Sequence, residues 1–172
     1  MLTPPKTGEY SDYFETYIAR VRDKDIQVLM ISQIEELERI YAQLTEEKAA
    51  TPYKEGKWTY KELLGHINDT EKIMFFRALC IARGEKESFP GFDQDAYVLK
   101  ANFNAVSTEA LLRDFRLTRK LIVSFMNNLP KEAIDDVGLV NGHKTSVTAL
   151  LHIITGHFVH HLTIIDDTFQ GL

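Results

Sequence analysis

The sequence predicts an all-α fold, a four-helix bundle, from three observations. Four segments repeat apolar residues every three or four positions, none sustains the alternation of a strand, and capping residues stand where several of these segments begin. The order of the helices follows from one long connection. "EKESFPGFDQDAYVLKANFNAV", between the second and third segments, is far longer than antiparallel neighbours need, so it is expected to cross the bundle and leave those two helices parallel. The arrangement is then up-down-down-up.

The first helix is expected from about Asp23 to Glu47, with Ile26, Met30, Leu37, Ile40 and Leu44 on one side and Gln33 interrupting the stripe. The second opens at "TYKE", where Thr59 and Glu62 have the spacing of a capping box, and ends near Gly84. Its stripe is Leu63, Ile67, Met74 and Ile81. The crossover is expected to hold a short helix from about Asp93 to Asn102. Ser107 caps the third helix, which lines up Leu111, Phe115, Ile122, Phe125 and Leu129 before Pro130 stops it. "VGLVNGHKT" follows, and its Asn-Gly pair between short apolar runs suggests a small hairpin or a turn. The fourth helix starts at Thr145 or Ser146 and continues to about Thr168.

Composition narrows the class. At 172 residues, 44% hydrophobic with ten Phe and one Trp, the chain is long enough for one sizeable core, and residues 1–172 are expected to form one domain. A formal charge of -5 with scattered Lys and Arg gives no footprint for nucleic acid. The start, "MLTPPKTGEYSDYF", has no apolar signal region, and "IMFFRALCIA" is short and broken by Arg77, so no membrane attachment is expected and the cytoplasm is the expected compartment. Cys80 is the only cysteine, so any metal site must use histidines and carboxylates.

"GHFVHHLTII" places three histidines within five residues of the fourth helix. With successive residues turned by about 100°, His161 falls inside the stripe of Leu150, Ile154, Ile164 and Ile165, and His157 at its edge. His160 lies about 60° outside His157, and His152 about 140° away, on the side of Thr155, Val159 and Thr163. His157 and His161 are therefore the inward pair. Residues four apart can bring two imidazoles to one metal ion. A single core histidine is ordinarily bonded to a carbonyl, but two adjacent buried imidazoles have four ring nitrogens to satisfy, and a shared cation takes one from each. His66, in "LLGHINDTE", is the candidate third ligand. It lies beside the second helix's stripe, where it could face a pocket at the bundle edge or touch solvent. His143, next to the Asn-Gly turn, reads as a loop residue.

Three ordered motifs, "GKWTYKELLGHINDTE", "FPGFDQDAY" and "SVTALLHIITGHFVHH", resemble the DinB/YfiT-like superfamily of metalloenzymes, over about Gly8 to Phe169. The resemblance implies a four-helix bundle, often dimeric, in which a histidine of the second helix and an H-x-x-x-H pair of the fourth bind a divalent metal. On this sequence those ligands are His66, His157 and His161, with His160 beside the last ligand but outside the set. Trp58 and Arg77 also match positions of that pattern: Trp58 as a staple at the helix start, Arg77 as a substrate contact or a buried ion-pair partner.

Three neutral imidazoles leave an open position on zinc, nickel or iron, which suits activation of water or of a thiolate. Asp69, one turn beyond His66, and Asp93 or Asp95 of the crossover are the carboxylates expected within reach as base or orienting group. Asp69 could equally belong to a solvated helix face, and Asp93 or Asp95 to a helix cap. No histidine has Glu three residues before it, as a ferritin-like di-iron site requires, and Phe158 follows His157 where a zincin needs Glu. The expected activity is that of a metal-dependent hydrolase, or of a transferase using an external low-molecular-weight thiol with a small-molecule substrate. The alternative is a non-catalytic, metal-binding stress-response protein.

Overall fold

The computed structural model describes residues 2–169, with side chains described to residue 165. The expected domain span also includes Met1 and residues 170–172, which lie outside the described residues. The chain begins with a short helix, α1 (Glu15–Ile18), and enters the first long helix, α2 (Ile26–Tyr41). The Asp25 carboxylate starts α2 by accepting the amides of Gln27 and Val28. α2 stops earlier than its periodicity suggests because Thr45 caps a separate turn, α3 (Glu46–Ala49), by accepting the amide of Lys48. The second long helix, α4 (Tyr60–Ile81), opens with the expected capping box between Thr59 and Glu62.

The crossover holds a strand, β1 (Ser88–Phe89), and a helix, α5 (Gln94–Ala101), before the third long helix, α6 (Thr108–Asn128), capped by Ser107. Two more strands, β2 (Val137–Val140) and β3 (His143–Ser146), lead into the fourth, α7 (Val147–Phe169). The expectation of an all-α chain is corrected here. β2 and β3 pair antiparallel, and β1 adds to β2 in parallel, giving a three-stranded sheet. Strands of two to four residues are too short for alternation to register in sequence. The Asn-Gly signal did mark the hairpin: Asn141 and Gly142 both take positive φ, 50° and 76°, as a tight two-residue turn requires.

Cross-helix contacts give the relative directions. Asn68 of α4 donates to the Leu111 carbonyl of α6, Glu71 meets Arg119, and Phe75 packs on Phe125, so numbers rise together and these helices run the same way. Glu38 meets Arg116 and Gln27 meets Asn127, so α2 runs against α6. The stripe residues Met30, Leu37, Leu63, Ile67, Phe115 and Ile122 are buried as expected.

The α7 wheel needed the larger correction. His152 and Thr155, assigned to its less apolar side, are fully buried. α1 and the N-terminal segment cover that side: Thr148 Oγ1 donates to the Thr3 carbonyl, and the Tyr17 carbonyl lies against Gly156 so closely that a Cβ there would overlap it. Over Val147–Ile165, α7 is long and apolar enough to cross a membrane by length and composition alone, but most of this stretch is buried inside the fold.

Candidate metal centre

His66 comes from the middle of α4, His157 and His161 from successive turns of α7. The three side chains are 3%, 4% and 9% exposed, so His66 is shielded from bulk solvent. His157 Nε2 lies 3.0 Å from His66 Nε2 and 3.0 Å from His161 Nε2. One nitrogen from each ring falls within 4.8 Å of the others, and no carboxylate joins the group among the described residues.

A glycine precedes a ligand candidate on each helix. A Cβ on Gly65 would enter the Phe103 ring, and one on Gly156 would enter the backbone at Tyr17. Each glycine lets a neighbouring segment press onto the helix beside its histidine. Tyr17 meets the His157 ring edge-on at a centroid distance of 5.3 Å, and Trp58 lies 4.7 Å from the His66 ring.

Burial sets the protonation. It lowers the His66 pKa to about 4 and that of His161 to about 2, the latter helped by His66 and His160. His157 is held well below its ordinary value by burial first and then by His161 and His66. All three are neutral at pH 7 and offer lone pairs. Hydrogen bonding among them cannot satisfy the cluster, because His157 Nε2 has one proton or one lone pair to share between two neighbours. Nδ1 of His157 and of His161 has no partner among the described residues. A tetrahedral ion with Zn–N of about 2.0–2.1 Å sets its nitrogens roughly 3.3 Å apart, close to the spacing here. The donor set therefore fits a divalent cation.

His66 and His157 form part of the wall of a cavity of about 350 Å³, which reaches Thr70 and Arg77 along α4 and Asn141 and His143 on the hairpin. None of the three carboxylates expected near the site joins the histidine group. Asp69 is half-buried with a raised pKa, caused first by burial, and its charged neighbours are Lys72 and Asp114. Asp93 caps α5 by accepting the amides of Asp95 and Ala96, and Asp95 is exposed. None of them lines the cavity. Tyr17, Asn141 and His143 do line it, with His143 at the start of β3 rather than in a loop. Their signal is tertiary, since α1 and the hairpin are brought to α4 and α7 only by folding.

A helical bundle with a buried, convergent three-histidine cluster beside an open cavity is the class that this fold and geometry define. The chain belongs to the DinB superfamily, whose family model matches residues 30–165. It is 28% identical, over 69% of each chain, to an Oceanobacillus iheyensis protein named "Putative metal-dependent hydrolase". Among solved structures it is similar to YfiT from Bacillus subtilis, described as a probable metal-dependent hydrolase with an unusual four-helix bundle topology. That match has a TM-score of 0.77 and 14% identity, and covers 96% of this chain and 91% of the other. The fold is also similar to a mycothiol-dependent maleylpyruvate isomerase, with a TM-score of 0.68 and 12% identity, covering 86% of this chain and 62% of that one.

Proposed function

We propose that the chain is a metal-dependent enzyme of the hydrolase type, in which His66, His157 and His161 hold one divalent ion, zinc or nickel before iron. The observation that carries this reading is the convergence of three neutral Nε2 atoms, two of them from residues in the wall of a cavity large enough for a small molecule. A bound ion would supply Lewis acidity toward a carbonyl and lower the pKa of water or a thiol. The chain's own residues do the rest. Tyr17 and Trp58 fix the His157 and His66 rings, while Met74, Phe92 and Ile153 give the cavity an apolar wall that limits water. The name of the Oceanobacillus relative supports hydrolysis. The reading takes the chain as one domain in up-down-down-up order, which the parallel pairing of α4 with α6 supports.

A second reading, transfer involving an external low-molecular-weight thiol, draws support from the likeness to the mycothiol-dependent isomerase. Assaying metal-loaded protein against activated esters and amides, with and without added thiol, separates the two. Turnover without thiol is the expected result. Turnover only with thiol transfers the assignment to the second reading, and no turnover in either arm with a fully metal-loaded protein overturns the enzymatic proposal.

A further inference from the structure

The chain has 25 acidic residues and a formal charge of -5, yet among the described residues no carboxylate lines the cavity beside the histidines. The charged residue in its wall is a cation, Arg77, which is only 4% exposed. A guanidinium buried to this extent is ordinarily matched by a carboxylate, as Arg119 is matched by Glu71 in this same bundle. Arg77 forms no ion pair among those described. Its Nη2 donates to the Pro90 carbonyl at 2.6 Å, its Nη1 approaches Met74 Sδ at 3.3 Å, and its Cζ lies 5.8 Å from the centre of the Phe92 ring. Burial lowers its pKa, but an arginine remains protonated at neutral pH. The fold therefore holds a desolvated positive charge that no carboxylate among the described residues pairs with, at the edge of an empty volume.

The position of Arg77 relates it to the histidines. It follows His66 by eleven residues on α4, which returns it to within about 20° of the same helix face and about 16 Å along the axis. Thr70 and Met74 lie between them on the same wall. Phe92, Val140 and Ile153 make the space between the two ends largely apolar, and Asn141 adds a hydrogen-bonding group.

We propose that Arg77 binds the anionic end of the substrate, and that the cavity takes an elongated small molecule with a carboxylate at one end, an apolar middle, and its reacting group at the histidine cluster. The planar fork of the guanidinium matches a carboxylate through two parallel N–H···O bonds, and the absence of acidic residues removes the repulsion such a ligand would meet elsewhere on this protein. The placement of the reacting end rests on the proposed metal-dependent activity. The placement of the anionic end rests on Arg77 and the cavity alone.

Calorimetric titration of metal-free protein with octanoate and with octanamide tests the anionic end without a metal to compete for the carboxylate. Wild-type protein is expected to bind octanoate at least about tenfold more tightly than octanamide. Arg77→Gln should bring the ratio to about one, and Arg77→Lys should keep part of it. A wild-type ratio near one overturns the proposal without depending on any variant, and so does a ratio kept by folded Arg77→Gln. A parallel titration of zinc-loaded protein with octanedioate reads both ends together. There the second carboxylate should strengthen binding over octanoate in wild type but not in Arg77→Gln, whose zinc content should remain that of wild type. Loss of zinc binding in wild type would instead count against the histidine assignment and leave the metal-free comparison intact.

Discussion

Arg119, Glu71 and Gln33 are buried as deeply as His66, His157 and His161, and α4 contributes a residue to each group, yet one group is closed and the other open. Arg119 Nε and Nη2 donate to the Glu71 carboxylate, Nη1 donates to Gln33 Oε1 at 2.6 Å, and Gln33 Nε2 reaches the Thr155 carbonyl at 3.4 Å. One network thus ties α2, α4, α6 and α7 together. The guanidinium carbon also lies 4.9 and 5.1 Å from the centres of the Phe115 and Phe158 rings, which stack on each other. The histidines, by contrast, point like atoms at one another and leave Nδ1 of His157 and His161 without partners among the described residues. A polar cluster that satisfies itself holds a fold together, whereas one that converges without satisfying itself awaits a ligand.

The largest effect should come from opening the closed cluster. Arg119→Met leaves Glu71 buried without its counter-charge and is expected to cost about 3–5 kcal/mol in urea denaturation. A second change, Glu71→Leu, should recover much of that loss in the double variant. A cost below about 1 kcal/mol for Arg119→Met would erase the distinction between the two regions.

Acid should act mainly on the open cluster. In metal-free protein the His66 pKa is lowered to about 4 by burial, while in the unfolded chain it is about 6.5. Between these values the unfolded chain binds a proton that the folded chain does not. Stability is therefore complete above about pH 6.5 and falls as pH drops toward 4, by about 3 kcal/mol from this group alone. His157 and His161 act in the same direction and extend the loss further into acid. Denaturation curves across that range check the sign, and a flat profile would contradict buried, neutral histidines.

Removing metal should cost less, because the apolar cores and the Arg119 network do not depend on it. At an ion concentration about a hundred times its dissociation constant, chelation should remove about 2.7 kcal/mol and lower the melting temperature by roughly 5–11 °C. Helical circular dichroism below the transition should be unchanged. Loss of helix on chelation would make the ion structural and take away the contrast with the closed cluster.

Much of this was legible in the sequence, though unevenly. Gln33, Glu71 and Arg119 each occupy an apolar position of their own helix, between Met30 and Leu37, Ile67 and Met74, and Phe115 and Ile122. Three such interruptions with complementary chemistry amount to a buried network, but only Gln33 was noticed, as a break in a stripe. The pair His157 and His161 followed from helix geometry, and His66 was raised as the candidate third ligand from its place on α4. The Asp candidates near the site did not follow, because helix azimuth says nothing about which neighbour covers a face. Asp69 turns toward Lys72 and Asp114, and the Asp93 carboxylate is engaged by its own helix start. The burial of His152 escaped for the same reason. It is covered by an N-terminal segment that shows little periodicity.

The smallest effect separates the buried histidines from one another. His152 donates through Nδ1 to the Thr148 carbonyl, 2.8 Å away within its own helix, and takes no part in the cluster. His152→Ala should cost about 1–3 kcal/mol through a lost hydrogen bond and a small void, and leave metal binding unchanged.

The central claim is that the open cluster is a metal site, and the metal content of wild type and His157→Ala tests it most directly. Both proteins are stripped, reloaded with zinc, freed of excess ion and analysed by mass spectrometry of the metal. The account predicts about one ion per chain in wild type and almost none in His157→Ala, with the variant still helical. Equal zinc in the two proteins would contradict it.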